Sequence, residues 1–278
     1  MPRAHANGIE LEYDTFGDAG APPMLMIMGL GSQMIVWPDE LCTLLAARGF
    51  RVIRYDNRDV GLSTKPAVQY TLDDMADDAA GLLDALDLPR AHVVGASMGG
   101  FIAQLLALRH PQRVASLCII MSSTGARDVG AAAPDILPFL MQPLQTERSA
   151  AIEHRLKIGR RLSSPGYPFD EPRIRGVIAA CFDRNHFPLG GQRQLAAVML
   201  SPDRTARLAS VTAPTLVLHG AEDPIVHVSG GEAIARAIPG AQLRVFPGMG
   251  HDLPAALWPT FADAIATHAS ASPAAKVA

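Results

Sequence analysis

In Ala91-His92-Val93-Val94-Gly95-Ala96-Ser97-Met98-Gly99-Gly100, a short apolar run gives way to a glycine-flanked serine. The run suits a buried strand, and the following Phe101-Ile102-Ala103-Gln104-Leu105-Leu106-Ala107-Leu108 suits a helix packed on a sheet. Ser97 has glycine two positions before it and two after, the G-x-S-x-G pattern of a tight strand-to-helix turn. Such a turn leaves no room for side chains at the flanking positions and holds the serine itself in a strained conformation. The hydroxyl then stands clear of the sheet at a helix N-terminus, whose N–H groups favour developing negative charge. Glycine-rich loops with an ordinary solvated serine produce the same pattern, so the surrounding chain decides.

Outward from this unit, short apolar strands alternate with amphipathic helices. Ile9 to Phe16 alternates at period two, as an outer strand with one wet face does, whereas Met24-Leu25-Met26-Ile27-Met28 is continuously apolar. A helix from Trp37-Pro38 to about Arg48 stops at Gly49, and Arg51 to Tyr55 forms the next strand. Asp73 to Leu88 has helical spacing, and Ala115 to Met121 reads as another buried strand. This rhythm predicts βαβ units and a mostly parallel sheet, with functional groups at the carboxyl ends of its strands. Ser97, the Gly29-Leu30-Gly31 loop and Asp56 all fall there.

Between about Thr124 and Leu208 the rhythm breaks into proline-rich helical pieces. A structureless loop of that length is improbable in a compact domain, so 124–208 is expected to be a helical cap inserted in a core of 1–123 and 209–278. The cap carries a charge of +4 against −7 for the rest. Arginines on solvated helix faces account for this excess more simply than a surface that attracts anionic substrates. Leu137, Phe139, Leu140, Met141, Leu144 and Met199 supply either the cap's own core or a hydrophobic substrate pocket. The strand rhythm resumes at Thr215 to Leu218, then a helix over Gly231–Ile238, the strand Gln242–Phe246 and a last helix from about Pro254 to His268.

The chain of 278 residues is 49% hydrophobic and 18% charged, with a net charge of −3. That balance offers no basic excess for nucleic acid. No apolar stretch of signal-peptide length follows Met1 to His5, and Met24 to Leu30 is too short to span a bilayer. A cytoplasmic enzyme without membrane or nucleic-acid partners is expected; the oligomeric state is not readable. Cys42, Cys118 and Cys181 are scattered among apolar neighbours and read as buried thiols, with no metal-site spacing.

A serine hydroxyl needs a base to take its proton, and that base needs a third group to orient it. After Ser97 the chain offers Asp223 just past one strand and His251 just past the next, flanked by Gly250 and Asp252. His219 abuts its strand and is better suited to bracing the loop; Glu222 is the other candidate acid, and Asp223 sits where the pattern wants it. His92, inside a strand, and His110, at a helix end, read as structural. Oxyanion donors are available from two backbone N–H groups, those of Leu30 and Met98.

Met28-Gly29-Leu30-Gly31, Asp56-Asn57-Arg58-Asp59-Val60-Gly61-Leu62-Ser63, Gly95 to Gly100, His219-Gly220-Ala221-Glu222-Asp223 and Gly250-His251 together resemble the α/β-hydrolase superfamily. The Asp-x-Arg-Asp variant and the Met-Gly-Leu-Gly loop resemble its branch of aclacinomycin methylesterase-type carboxylesterases. The resemblance implies an α/β-hydrolase fold: an eight-stranded, mostly parallel sheet flanked by helices, with the cap after the sixth strand. The reading is a serine esterase without metal or organic cofactor, acting on a small-molecule ester through an acyl-enzyme on Ser97, and the apolar cap residues suggest a hydrophobic substrate. C–C bond hydrolases, lactonases and cofactor-free perhydrolases use the same triad, and a non-catalytic ligand receptor is the rival of another class. Many family members have His-Gly at the oxyanion loop; Met28 replaces that histidine here, which opens the question of what braces the loop.

Overall fold

The computed structural model describes residues 1–136 and 145–272. Leu137, Phe139, Leu140, Met141 and Leu144 therefore lie outside the described residues. Eight strands form one sheet: β1 (Arg3–Ala6), β2 (Ile9–Phe16), β3 (Pro23–Ile27), β4 (Arg51–Tyr55), β5 (Ala91–Ala96), β6 (Val114–Ile120), β7 (Thr215–Gly220) and β8 (Gln242–Phe246). Their spatial order is β1-β2-β4-β3-β5-β6-β7-β8. β1, β2 and β4 pair antiparallel, and every pairing from β4 onward is parallel. The short β1, whose inward residues are Ala4 and Ala6, is the strand that chain patterning leaves unmarked.

Alternation explains how one strand serves two cores. Leu25 and Ile27 of β3 face a core closed by α2 (Leu72–Ala85), α3 (Met98–Arg109) and α8 (Ser229–Ala237). Met24, Met26 and the adjacent Met28 face the opposite core, closed by α1 (Asp39–Ala46) and α9 (Trp258–Ser270). β3, β5, β6 and β7 are buried along their whole length, which is why they read as continuous apolar runs. The start of α2 is fixed by a reciprocal cap, Thr71 accepting from the Asp74 N–H while Asp74 accepts from the Thr71 N–H.

Between β6 and β7 lie α4 (Arg148–Leu162), α5 (Glu171–Arg184), α6 (Pro188–Leu200) and the single turn α7 (Thr205–Leu208). α5 has no fully buried residue, and exposed ion pairs join it to α4: Arg148–Asp183 at 2.6 Å, and Arg175 with Glu153. Met199 is 73% exposed and so belongs to no internal core. Cys42 and Cys118 are buried as expected, but Cys181 on α5 is only half-buried, because that helix lies at the periphery. No helix among the described residues is long and apolar enough to cross a membrane.

Candidate active site

Ser97 closes β5 with φ 55° and ψ −119°, an unfavourable conformation for a residue with a side chain. Packing enforces it. A Cβ on Gly95 would lie 2.2 Å from the Gly99 oxygen, and one on Gly99 would lie 2.0 Å from the Ile27 oxygen. The Ser97 N–H donates to Ile120 O at 2.9 Å, and the Ser97 carbonyl accepts from the Gly100 N–H and the Ser122 hydroxyl, both at 2.9 Å. The hydroxyl is left half-exposed above the carboxyl end of the sheet.

Asp223 and His251 follow β7 and β8, neighbours in the sheet on the same side of β5, so the parallel topology delivers both to Ser97. The Ser97 Oγ–H reaches His251 Nε2 at 3.0 Å, and His251 Nδ1–H donates to Asp223 Oδ2 at 2.7 Å. The other carboxylate oxygen accepts from the Ile225 and Val226 N–H groups, each at 2.9 Å. Asp223 is thus buried, fully engaged and aimed.

The rival residues occupy other positions. His219 is buried, and its Nε2–H donates to Val226 O at 2.8 Å, so its proton is committed to the loop that carries Asp223. Burial also holds its pKa below the ordinary histidine range. Glu222 accepts from the Gly248 N–H at 2.6 Å and ties the Asp223 loop to the His251 loop. His92 pairs with Ser116 at 2.8 Å inside the sheet, and His110 with Asp77 at 2.7 Å at the end of α3.

The Leu30 loop runs beside the serine: a Cβ on Gly29 would stand 3.2 Å from Ser97 Cβ. Neither the Leu30 N–H nor the Met98 N–H has an acceptor among the described residues. Both donors remain available for a negative oxygen. Two side-chain amides hold the Leu30 loop. Asn57 Nδ2 donates to Met28 O at 3.0 Å, and Gly31 N–H donates to the Gln194 side-chain oxygen at 2.7 Å.

Asp56 is a scaffold residue. Fully buried, it accepts from the N–H groups of Met34 and Leu62 and from Arg184 of α5, at 2.8, 2.9 and 2.6 Å. Its neighbour Arg58 forms a buried two-point pair with Asp78 of α2, both contacts at 2.6 Å. The Asp-Asn-Arg-Asp segment therefore joins the Leu30 loop to the helices around it.

The His251 loop is held from outside the sheet. His251 N–H donates to Leu162 O and Gly166 N–H to Gly248 O, both at 2.8 Å. Ser164 Oγ accepts from the Gly250 N–H at 2.9 Å and donates to the Asp252 carboxylate, which also accepts from the Ser164 N–H at 3.0 Å. Burial pushes the Asp252 carboxyl above the ordinary aspartate range, against the pull of those two donors. Asn57, Ser164 and Gln194 are missed by motif reading. Asn57 lies in a quoted motif, but nothing in the spacing of Ser164 or Gln194 marks them.

Known proteins resemble this chain along most of its length. The chain is 34% identical to a rhodomycin D methylesterase from Streptomyces sp. (strain C5), over 95% of this chain and 96% of the relative. It is 29% identical to 3-oxoadipate enol-lactonase 2 of Acinetobacter baylyi, over 86% of each chain. The crystal structure of a hydrolase from Pseudomonas aeruginosa superposes with a TM-score of 0.73 at 30% identity, over 96% of both chains. A profile of the alpha/beta hydrolase fold family matches residues 22–254, and the chain belongs to that family.

Proposed function

We propose that this protein is a serine hydrolase of carboxylic esters, working through an acyl-enzyme on Ser97. One observation carries the reading: the unbroken hydrogen-bonded line from Asp223 through His251 to Ser97, at 2.7 and 3.0 Å. His251 takes the serine proton as the hydroxyl attacks the carbonyl carbon, then returns it to the leaving alkoxide as the alcohol departs. Asp223 fixes the tautomer that leaves Nε2 free to accept and stabilises the imidazolium that forms. The Leu30 and Met98 N–H groups receive the tetrahedral oxyanion. Water deprotonated by His251 then attacks the acyl carbon and releases the acid and free Ser97. Residues 124–208 act as the cap over this site, and an intracellular setting suits the three free thiols.

The methylesterase relative makes methyl esters of small hydrophobic acids the first substrates to assay. The enol-lactonase relative supports lactones as a second class, since the same triad opens a cyclic ester without a separate leaving group. A panel of methyl esters, p-nitrophenyl esters and lactones ranks the two by kcat/KM. Ser97→Ala is expected to lower turnover of every active substrate at least about 1,000-fold and to abolish fluorophosphonate labelling, with Tm unchanged. Activity within a few-fold of wild type in Ser97→Ala would overturn the assignment.

A further inference from the structure

We infer that Gln194, on α6 of the insertion, is a positioning residue that sets the aim of the Leu30 N–H toward the oxyanion. The inference rests on the proposed Ser97 chemistry and adds to it the element that tunes the oxyanion donor. A wholly buried glutamine amide is costly unless both of its ends are bonded. Both are: the side-chain oxygen accepts from the Gly31 N–H at 2.7 Å, and Nε2 donates to Arg58 O at 2.8 Å. The orientation is unambiguous, because an N–H can only donate and a carbonyl can only accept.

What this bond does follows from the order of the peptide groups. The Leu30 N–H belongs to the Gly29–Leu30 peptide. The preceding peptide is held through Met28 O by Asn57, and the following one through Gly31 N–H by Gln194. The donor peptide is thus pinned on both sides, once from the core and once from the insertion. Helix α6 is seated for this at backbone distance. A Cβ on Gly190 would fall 2.1 Å from Asp59 O, and Arg193 meets the buried Asp59 carboxylate at 3.0 Å. An oxyanion donor contributes most when it is already in place before charge develops. Losing the Gln194 bond should therefore weaken binding of the transition state more than binding of the ester.

Two variants test this against p-nitrophenyl esters and a trifluoromethyl ketone, which binds serine hydrolases as a tetrahedral oxyanion. Gln194→Met keeps the volume and removes both bonds. We expect kcat to fall about tenfold with KM within twofold, and ketone affinity to fall by a similar factor. Gln194→Glu supplies a conditional rescue. Protonated, its carbonyl accepts from Gly31 and its O–H donates to Arg58; ionised, it has no donor for the Arg58 carbonyl. Burial raises that carboxyl. The ionised carboxylate is repelled by the Arg58 carbonyl and must turn from its seat, giving up Gly31 N–H as well, so kcat and ketone affinity relative to wild type should fall together toward the Met variant as pH rises.

If Gln194→Met lowers Tm but keeps kcat and ketone affinity within twofold of wild type, Gln194 only packs the helix and the inference fails. If that variant does not fold, the pH limb of Gln194→Glu decides, and its absence overturns the idea. Persistent activity in Ser97→Ala would instead sink the underlying reading. Loss of activity in Ser97→Ala beside indifferent Gln194 variants sinks this inference alone.

Discussion

The β5–α3 unit and helices α4–α6 both border the proposed reaction centre, but by different physics. In the β5–α3 unit the backbone is confined by steric contact, and nine of the twelve residues of α3 are buried. Helix α5 buries no residue fully, and exposed charged pairs join it to α4. Yet the insertion meets the site at two well-defined places, Leu162 to Gly166 against the His251 loop and Gln194 against the Leu30 loop. The difference teaches that rigidity at Ser97 comes from packing, which a buried sheet supplies. Alignment of its partners comes from a few long-range hydrogen bonds supplied by a peripheral element.

Three substitutions sharpen or break that contrast. Gly99→Ala should be the most damaging, since its methyl would overlap the Ile27 carbonyl and neither backbone can yield. A loss of about 3 kcal/mol or more in chemical denaturation is expected, or no folded protein at all. A stable, active Gly99→Ala protein would contradict the packing account of the nucleophile. Ser164→Ala should have an intermediate effect. It leaves the Gly250 N–H without its acceptor and frees the loop carrying His251, so kcat should drop roughly 3- to 30-fold with little change in KM. Unchanged kcat would mean that Glu222 and the sheet suffice to hold the loop. Arg175→Ala should do least. Its side chain is 40% exposed and that of Glu153 62% exposed, so the pair is screened and a thermal scan should register almost no change in Tm. A larger loss would show that α4–α5 docking relies on charge more than the exposure of these groups suggests.

Much of this architecture is legible along the chain. A strand buried on both faces is apolar along most of its length, which is why Met24 to Ile27 and Ala91 to Ala96 read as strands from sequence. The glycines at 95 and 99 are required by clashes within one turn and its neighbouring strand, so they had to appear in the sequence. Histidines 92 and 110 could be set aside from local pattern, because each lies within or at the end of a regular element. β1 is not marked in the sequence, because four residues with two alanines carry too weak an alternation. The burial of Cys181 was overestimated because apolar neighbours on a peripheral helix look the same as neighbours in a core.

By itself, the sequence determined the layered sheet, the strained serine turn and the order Ser97, Asp223, His251, because each is dictated by constraints between residues close along the chain or by strand periodicity. The tertiary structure alone decided that Glu222 bonds to the Gly248 N–H while Asp223 faces His251. It also decided that amides from Asn57 and Gln194 brace the Leu30 loop. These choices depend on contacts such as the 163 positions separating Gly31 from Gln194, and hydrogen bonds of that range leave no period or spacing in the chain.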